Sequence, residues 1–266
     1  MTMRILYHND MSTCAQKARV TLAEKGLTWE SRHLDLRAGD QQEPEYLKLN
    51  PKGVVPTLVD GDNFVRESNV ILEYLDDEYP DPPLRPATSM GRARMRLWIK
   101  RLDEGLHDIA TATLSMGTAF RFQYLDKTPA QREALIEKIP DPIKRERRRD
   151  VVENGLEAKE FTKAAAMMNA FLGDMETALK DTTWVAGDDY CIADAAFTPY
   201  LTRLDHLNYL GFIADRPHVA DWYDRIKARP SYDAAITEWL NQGYWELMQE
   251  KGAEAWPRVK EILAGL

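Results

Sequence analysis

The stretch Leu49-Asn50-Pro51-Lys52-Gly53-Val54-Val55-Pro56-Thr57-Leu58 decides the fold of this chain. Asn50-Pro51 ends a short helix predicted over 42–49, because a proline pushes the residue before it out of the helical region. Pro56 stands directly before an apolar run, where a strand tolerates proline at its first residue or on an edge. That strand, 57–60, and a second, 63–66, flank Gly61-Asp62, which signals a hairpin. Toward the N-terminus, 29–35 reads as a strand and 3–7 as a short buried strand. Between them, 13–26 reads as a helix with Ala15, Ala18, Val20, Leu22 and Ala23 as its apolar positions and Gly26 where a left-handed C-cap belongs. Toward the C-terminus, 68–79 is a helix with Val70, Ile71, Tyr74 and Leu75 on one face and Pro80 past its end.

The order is therefore β-α-β-α-β-β-α within about 80 residues. The opening strand-helix-strand implies a right-handed parallel crossover, and the closing hairpin adds an antiparallel edge to give a mixed sheet. Four prolines follow within seven residues, at 80, 82, 83 and 86, and make a stiff linker. Beyond them strand signals vanish. Helical patterns run over 88–124, with Met95, Trp98, Leu102, Leu106 and Ile109, and then over 148–180, 192–209, 216–228, 232–249 and 252–264. The expected organisation is an α/β domain over 1–81, a linker over 82–87 and an all-helical domain over 88–266.

With 266 residues and 44% hydrophobic content, the chain has enough apolar material for a core in each of two domains. Its net charge of −8 argues against a general nucleic-acid partner, since such binding rests on basic surface. The run Lys-Arg-Glu-Arg-Arg-Arg at 144–149, in a stretch that holds Pro129, Pro140 and Pro142, has two readings, an anion-binding patch or a solvated helix face. The acidic whole favours the solvated face. Two cysteines, Cys14 and Cys191, are too few for a disulfide framework and suit a reducing compartment. Met1 to Arg4 run straight into a strand pattern without a leader, and no apolar run approaches the roughly 20 residues needed to span a bilayer. The expectation is a cytoplasmic protein with no membrane partner. Five histidines at 8, 33, 107, 206 and 218 show no ligand-like spacing, so no metal is expected.

Three short segments could carry chemistry. His8-Asn9-Asp10-Met11-Ser12-Thr13-Cys14 feeds a helix N-terminus, whose N–H groups and dipole favour an anion such as a thiolate. A Ser12 or Thr13 hydroxyl there can donate to a bound sulfur, and Cys14 would itself have a lowered pKa; the plain alternative is an N-cap. At Val54-Val55-Pro56-Thr57, a cis Val55–Pro56 bond would expose the Val55 N–H and C=O to a peptide-like ligand, whereas a trans bond makes an ordinary turn. Residue chemistry alone leaves both open. Glu67-Ser68 opens the next helix: Ser68 and the first-turn amides suit a carboxylate and Glu67 an ammonium, against the alternative of a cap with an acidic first turn.

In this joint order the sequence resembles the cytosolic glutathione transferases over nearly its whole length. The motifs are Met-Ser-Thr-Cys-Ala-Gln-Lys-Ala-Arg at 11–19, the 49–58 stretch above, Glu-Ser at 67–68 and Asp-Asp-Tyr-Cys-Ile-Ala-Asp at 188–194. The resemblance implies a thioredoxin-like N-terminal domain, an all-α C-terminal domain, glutathione as co-substrate, a homodimer and a detoxification-type transferase. It implies that Pro56 is cis and that Val55 pairs with the cysteinyl backbone of glutathione. Glu67 and Ser68 would hold the γ-glutamyl end, and Gln42 or Lys52 the glycine carboxylate. Asp194 matches a helix-capping residue, with Cys191 where the family has Ser or Thr, a departure that removes a good hydroxyl cap.

Aligning Arg19 with the matching arginine of the zeta and omega classes puts Ser12 at their catalytic Ser or Cys. The reductive dehalogenases resemble the segment as Met-Ser-x-Cys and point to Cys14. The lignin β-etherase branch looks most similar overall, through the pattern around 85–101 and the proline-containing insert, and its proposed serine falls near Cys14. Ser12 is thus the first catalytic candidate and Cys14 the second, with Thr13 beside the sulfur. The implied reaction is attack of the glutathione thiolate on a hydrophobic electrophile, such as an aryl ether or a halogenated compound, in a pocket between the domains. Leu102, Leu106, Ile109 and Thr113 are candidates for its lining, though that spacing also suits plain core. The alternatives are a zeta-like isomerase, which the insert at 125–150 and the tail past 250 argue against, and a non-catalytic glutathione-binding module. A dithiol oxidoreductase would need the C-x-x-C that is missing here.

Overall fold

A four-stranded sheet is laid down by residues 4–66 in a computed structural model that describes residues 3–139 and 141–266. Met1 and Thr2, at the start read as leaderless, and Pro140, one of the insert prolines, lie outside the described residues. The elements are β1 (Arg4–His8), α1 (Thr13–Glu24), β2 (Glu30–His33), α2 (Pro44–Leu49), β3 (Thr57–Asp60), β4 (Asn63–Arg66) and α3 (Ser68–Glu78). The strand order is β2-β1-β3-β4. β1 and β2 are parallel, and β1–β3 and β3–β4 are antiparallel, which is the expected mixed sheet. Both hairpin strands fall on the expected residues, and Gly26 follows α1 with φ +61°.

The chain folds as two compact units. The first comprises Met1–Ile99, Leu179–Leu201 and Asp221–Asn241. Its sheet core joins Leu6, Leu58, Ala18, Leu22, Ile71 and Leu75, so β1, β3, α1 and α3 bury one continuous apolar layer. α1 is buried on a second side as well, where Val20 meets Ala195, Ala235 and Ile236. Within this unit Lys25 and Asp76 form a buried ion pair at 2.5 Å. The same ammonium donates to the carbonyls of Tyr79 and Pro82, at 2.7 and 2.8 Å, and ties down the proline-rich stretch. A buried charge survives only when fully paired and hydrogen-bonded in this way.

The second unit comprises Lys100–Ala178, Thr202–Ala220 and Gln242–Leu266, and is helical. Its long helix α9 (Lys159–Ala178) buries Phe161, Ala164, Ala165, Met168, Phe171, Leu172 and Met175, the stripe that the 3.6-residue period lays against neighbours. The remaining helices of the chain are α4 (Ser89–Arg101), α5 (Ala112–Ser115), α6 (Phe122–Leu125), α7 (Pro129–Ile136), α8 (Pro142–Asn154), α10 (Ile192–His206), α11 (Pro217–Lys227), α12 (Pro230–Ala235) and α13 (Gln242–Ala264). No helix of the described residues is long and apolar enough to cross a membrane.

Three helical expectations need correction. The pattern over 88–124 is not one regular helix: Gly105, at φ +124°, interrupts it, and Leu102–Thr111 is wound as a π-helix. A left-handed residue is a conformation that glycine adopts without a Cβ penalty. The pattern over 148–180 breaks at Gly155 into α8 and α9. The pattern over 232–249 splits at Ile236–Asn241, and α13 absorbs the final helix, continuing past Pro257, which removes one N–H without ending it.

The insert is two helices, α7 and α8. The basic run lies on α8 as a face paired with acids: Arg149 with Glu133, Glu137 and Glu146, Arg145 with Glu137, and Arg147 with Asp108.

Candidate functional site

The sheet register brings the three candidate segments to one end of the first unit. Tyr7 pairs with Thr57, so the end of β1, which leads to Ser12, lies beside the start of β3, which follows Val55-Pro56. Thr57 pairs in turn with Arg66, so Glu67-Ser68 leaves β4 at the same end. Two helix N-termini, those of α1 and α3, open there. The buried Lys17 ammonium, one turn into α1, donates to Asn69 at the start of α3 at 2.8 Å and ties the two together.

Ser12 is the N-cap of α1, with extended backbone, and its Oγ accepts the Ala15 N–H at 3.3 Å. The two readings of this residue are therefore compatible. An N-cap oxygen that accepts from the helix still carries a hydroxyl proton to donate. Thr13 is buried and Cys14 half-buried, as the first two residues of the helix. Neither Cys14 nor Cys191 is in a disulfide.

The loop that carries Ser12 is held by Arg19. Its guanidinium is buried and donates to the carbonyls of Asn9, Asp10 and Ala235 at 2.9, 2.7 and 2.8 Å, and to His8 Nδ1 at 3.1 Å. Burial pulls the arginine down to about 9, with Asp10 opposing. Burial, then Arg19 and His33, push His8 down to about 3, so its ring is neutral and Nε2 donates to Ser31 Oγ at 2.8 Å. Trp239 lies edge-on to His8 and stacks on Trp29. Asn241 donates to Asp10 at 3.0 Å.

The Val55–Pro56 bond is cis, which settles what the residues alone left open. The Val55 N–H and carbonyl have no hydrogen-bond partner among the described residues. The Val54 carbonyl next to them is held by Tyr46 Oη at 2.6 Å and Asn50 Nδ2 at 2.8 Å. Both of those side chains also reach Thr57 Oγ1, at 2.9 and 3.2 Å. Gly53 has φ +58°, and a Cβ there would come within 2.6 Å of Gln42 Nε2. The Gln42 side chain lies against this turn and reaches the Gly53 carbonyl at 3.4 Å.

Glu67 is the N-cap of α3 but makes no side-chain cap, and its backbone sits at φ +64°, ψ +114°. A non-glycine residue held there costs of order 1–3 kcal/mol, and such strain clusters at ligand sites. Its exposed carboxylate holds Lys52 Nζ at 2.7 Å, so two residues expected to hold opposite ends of a ligand are paired with each other. Ser68 is the half-buried first residue of α3.

Asp194 does not belong to this end of the sheet. Its buried carboxylate accepts from Val185 N, Cys191 N and Trp222 Nε1 at 3.1, 3.0 and 2.8 Å. The Cys191 thiol donates to it as well, at 3.4 Å, with sulfur in the place of the hydroxyl oxygen that the family has there. Burial, with Asp194 adding, drives Cys191 up, away from thiolate chemistry. Lys17, Tyr46, Asn50, Trp239 and Asn241 were missed as site-building residues. Only the charged Lys17 inside an otherwise small, apolar helix pattern gave any signal. No group of three His, Cys, Asp or Glu suited to a metal occurs among the described residues.

Two helix N-termini beside an unpaired backbone N–H and C=O offer the donors and acceptor that a peptide-like anion needs. A family model for the glutathione S-transferase N-terminal domain matches residues 11–78, and one for the glutathione S-transferase C-terminal domain matches 144–225. Tetrachloro-p-hydroquinone reductive dehalogenase of Sphingobium chlorophenolicum is 30% identical over 86% of this chain and 94% of its own. Glutathione S-transferase Z2 of Arabidopsis thaliana is 30% identical over 88% of this chain and 90% of its own. The crystal structure of the beta-etherase LigF from Sphingobium sp. strain SYK-6 superposes with a TM-score of 0.77 at 27% identity, covering 90% of this chain and 100% of that one. The chain belongs to the glutathione S-transferase family, and it is an enzyme with glutathione as co-substrate.

Proposed function

We propose that glutathione lies along the end of the sheet with its cysteinyl backbone on the Val55 N–H and C=O. Ser68 and Glu67 take its γ-glutamyl carboxylate and ammonium, the latter displacing Lys52, and Gln42 or the released Lys52 takes its glycine carboxylate. Its sulfur sits over the N-terminus of α1, where Ser12 donates to it with Thr13 alongside. A hydrogen bond and a helix dipole both favour the anion, and each unit by which the thiol pKa falls is worth about 1.4 kcal/mol. The thiolate then attacks an electrophilic carbon. A C–S bond forms, the bond to an aryloxy or halide group breaks, and the leaving group departs with the electron pair. The single observation that supports this most is the unpaired Val55 backbone beside two helix N-termini. In this reading residues 1–81 carry glutathione, 82–87 link, and 88–266 hold the hydrophobic electrophile. Aryl ethers and halogenated aromatics are the substrates to try first, because the relatives above include a beta-etherase and a reductive dehalogenase. A cytoplasmic homodimer with a detoxifying role completes the proposal, and a light-scattering mass equal to one chain would contradict the dimer.

Cys14 is the alternative to Ser12, because it too lies in the first turn of α1 and is half-exposed. The pair Ser12→Ala and Cys14→Ala separates the roles. With Ser12 as donor, its loss lowers kcat by about 100-fold, as for other single-donor deletions, while KM for glutathione changes little and Cys14→Ala turns over normally. The reverse pattern assigns the role to Cys14.

A further inference from the structure

The basic run on α8 is not wholly spent on acidic partners. Arg148 is its one arginine without a carboxylate partner among the described residues. It donates to the Tyr124 hydroxyl at 2.9 Å and lies over that ring. A guanidinium has five N–H donors in a planar fork, so most of this one is left for a ligand.

Arg148 lines a half-open cleft of about 130 Å³ formed by the second unit. Two helical stripes line it. Asp108, Ala112 and Met116 follow at intervals of four, and Lys144, Arg148 and Val151 lie at i, i+4 and i+7 on α8. The inner wall is formed by the buried Met116 and Val151 with Ala112, and the buried Thr113 is its one polar contribution. The mouth carries Lys144 and Arg147, both within 3.4 Å of Asp108. Arg147 also meets the Glu160 carboxylate at 3.9 Å, so Lys144 and Arg147 share two acids and Arg148 is left without one among the described residues. A cavity of about 150 Å³ with apolar walls accepts one benzene-sized ring. A largely apolar slot with a guanidinium that has no carboxylate partner at its rim is matched by a planar ring that ends in a carboxylate, which an arginine fork holds through two parallel bonds.

We propose that this cleft is a binding site for a single-ring aromatic carboxylate, with the ring between the two helical stripes and the carboxylate on Arg148. The site is formed by residues of the second unit alone, with Thr113 the one residue it shares with the candidates for the electrophile pocket, and its probes are tested without glutathione. The test is calorimetric titration of the full chain, without glutathione, with three probes: benzoate, benzyl alcohol as a neutral ring of similar size, and inorganic phosphate as an anion with no ring. Benzoate is expected to saturate, with the other two at least about tenfold weaker, which corresponds to about 1.4 kcal/mol. Arg148→Gln should weaken benzoate by about tenfold or more, and Arg145→Gln, whose charge is tied to Glu137, should not. Ala112→Phe, which fills the slot and leaves Arg148 in place, should abolish binding; it serves as the second variant if Arg148→Gln fails to fold. Absence of benzoate saturation, equal binding of benzyl alcohol or of phosphate, or benzoate binding that survives both variants would overturn the proposal.

Discussion

Replacing Arg19 should loosen the loop on which the proposed chemistry depends. Its buried guanidinium makes four hydrogen bonds, to Asn9 O, Asp10 O, Ala235 O and His8 Nδ1. Bonds from a charged donor are worth about 1.5 kcal/mol or more each, so Arg19→Met forfeits roughly 6 kcal/mol, less what water recovers in the space left. That approaches the whole stability of an ordinary domain, about 5–15 kcal/mol. Arg19→Lys is the more informative variant. It keeps the charge, but one ammonium cannot span both the loop carbonyls and Ala235, so about half the bonds are lost and the expected cost is roughly 3 kcal/mol. Trp239 and Trp29 lie stacked beside this arginine, so urea unfolding followed by tryptophan fluorescence reports on the right place. The variant should also raise KM for glutathione and lower kcat, since Asn9 and Asp10 lead directly to Ser12. An Arg19→Lys protein that unfolds within about 0.5 kcal/mol of the parent and turns over normally would refute this account of the loop.

Other consequences are as direct. Gly53→Ala places a Cβ at a left-handed residue and against Gln42, so KM for glutathione should rise with kcat little changed; steady-state kinetics at varied glutathione would show it. Asp194→Ala strips three buried N–H donors of their acceptor, at about 1–3 kcal/mol each. It should lower the melting temperature steeply while leaving kcat intact in the cold; a normal melting curve would contradict its structural role. His8 and His206 both have pKa values lowered from 6.5 to about 3, chiefly by burial, with Arg19 and Arg203 adding. The unfolded chain therefore takes up protons first as pH falls. Stability is full above 6.5 and drops by about 1.4 kcal/mol per histidine per pH unit below it, down to about 3. Urea midpoints at neutral pH and one unit below 6.5 should differ accordingly, and equal midpoints would contradict the buried neutral rings.

The first 80 or so residues were legible because their signals are local. Gly61-Asp62 and Pro56 bound the hairpin strands to the residue, and alternation with helix periodicity supplied the order. The candidate site was legible as three motifs, and the strand register explains why they meet. What the sequence hid is long-range. No local pattern indicates that Ala235, Trp239 and Asn241 return to the loop before Ser12, more than two hundred residues away. A broad apolar period over 88–124 likewise conceals a backbone reversal at Gly105, because an isolated glycine in a helical pattern is usually tolerated. Among the arginines of the basic run, Arg148 differs from its neighbours only through what α7 and the 102–125 segment put in front of them.

The most direct test of the central claim is an ultraviolet difference titration of the protein with glutathione at neutral pH, which follows the absorbance of the thiolate. A saturable thiolate signal that fades in Ser12→Ala while glutathione still binds is the predicted result. Saturable binding with no thiolate signal in the parent protein would contradict activation of the sulfur at the N-terminus of α1.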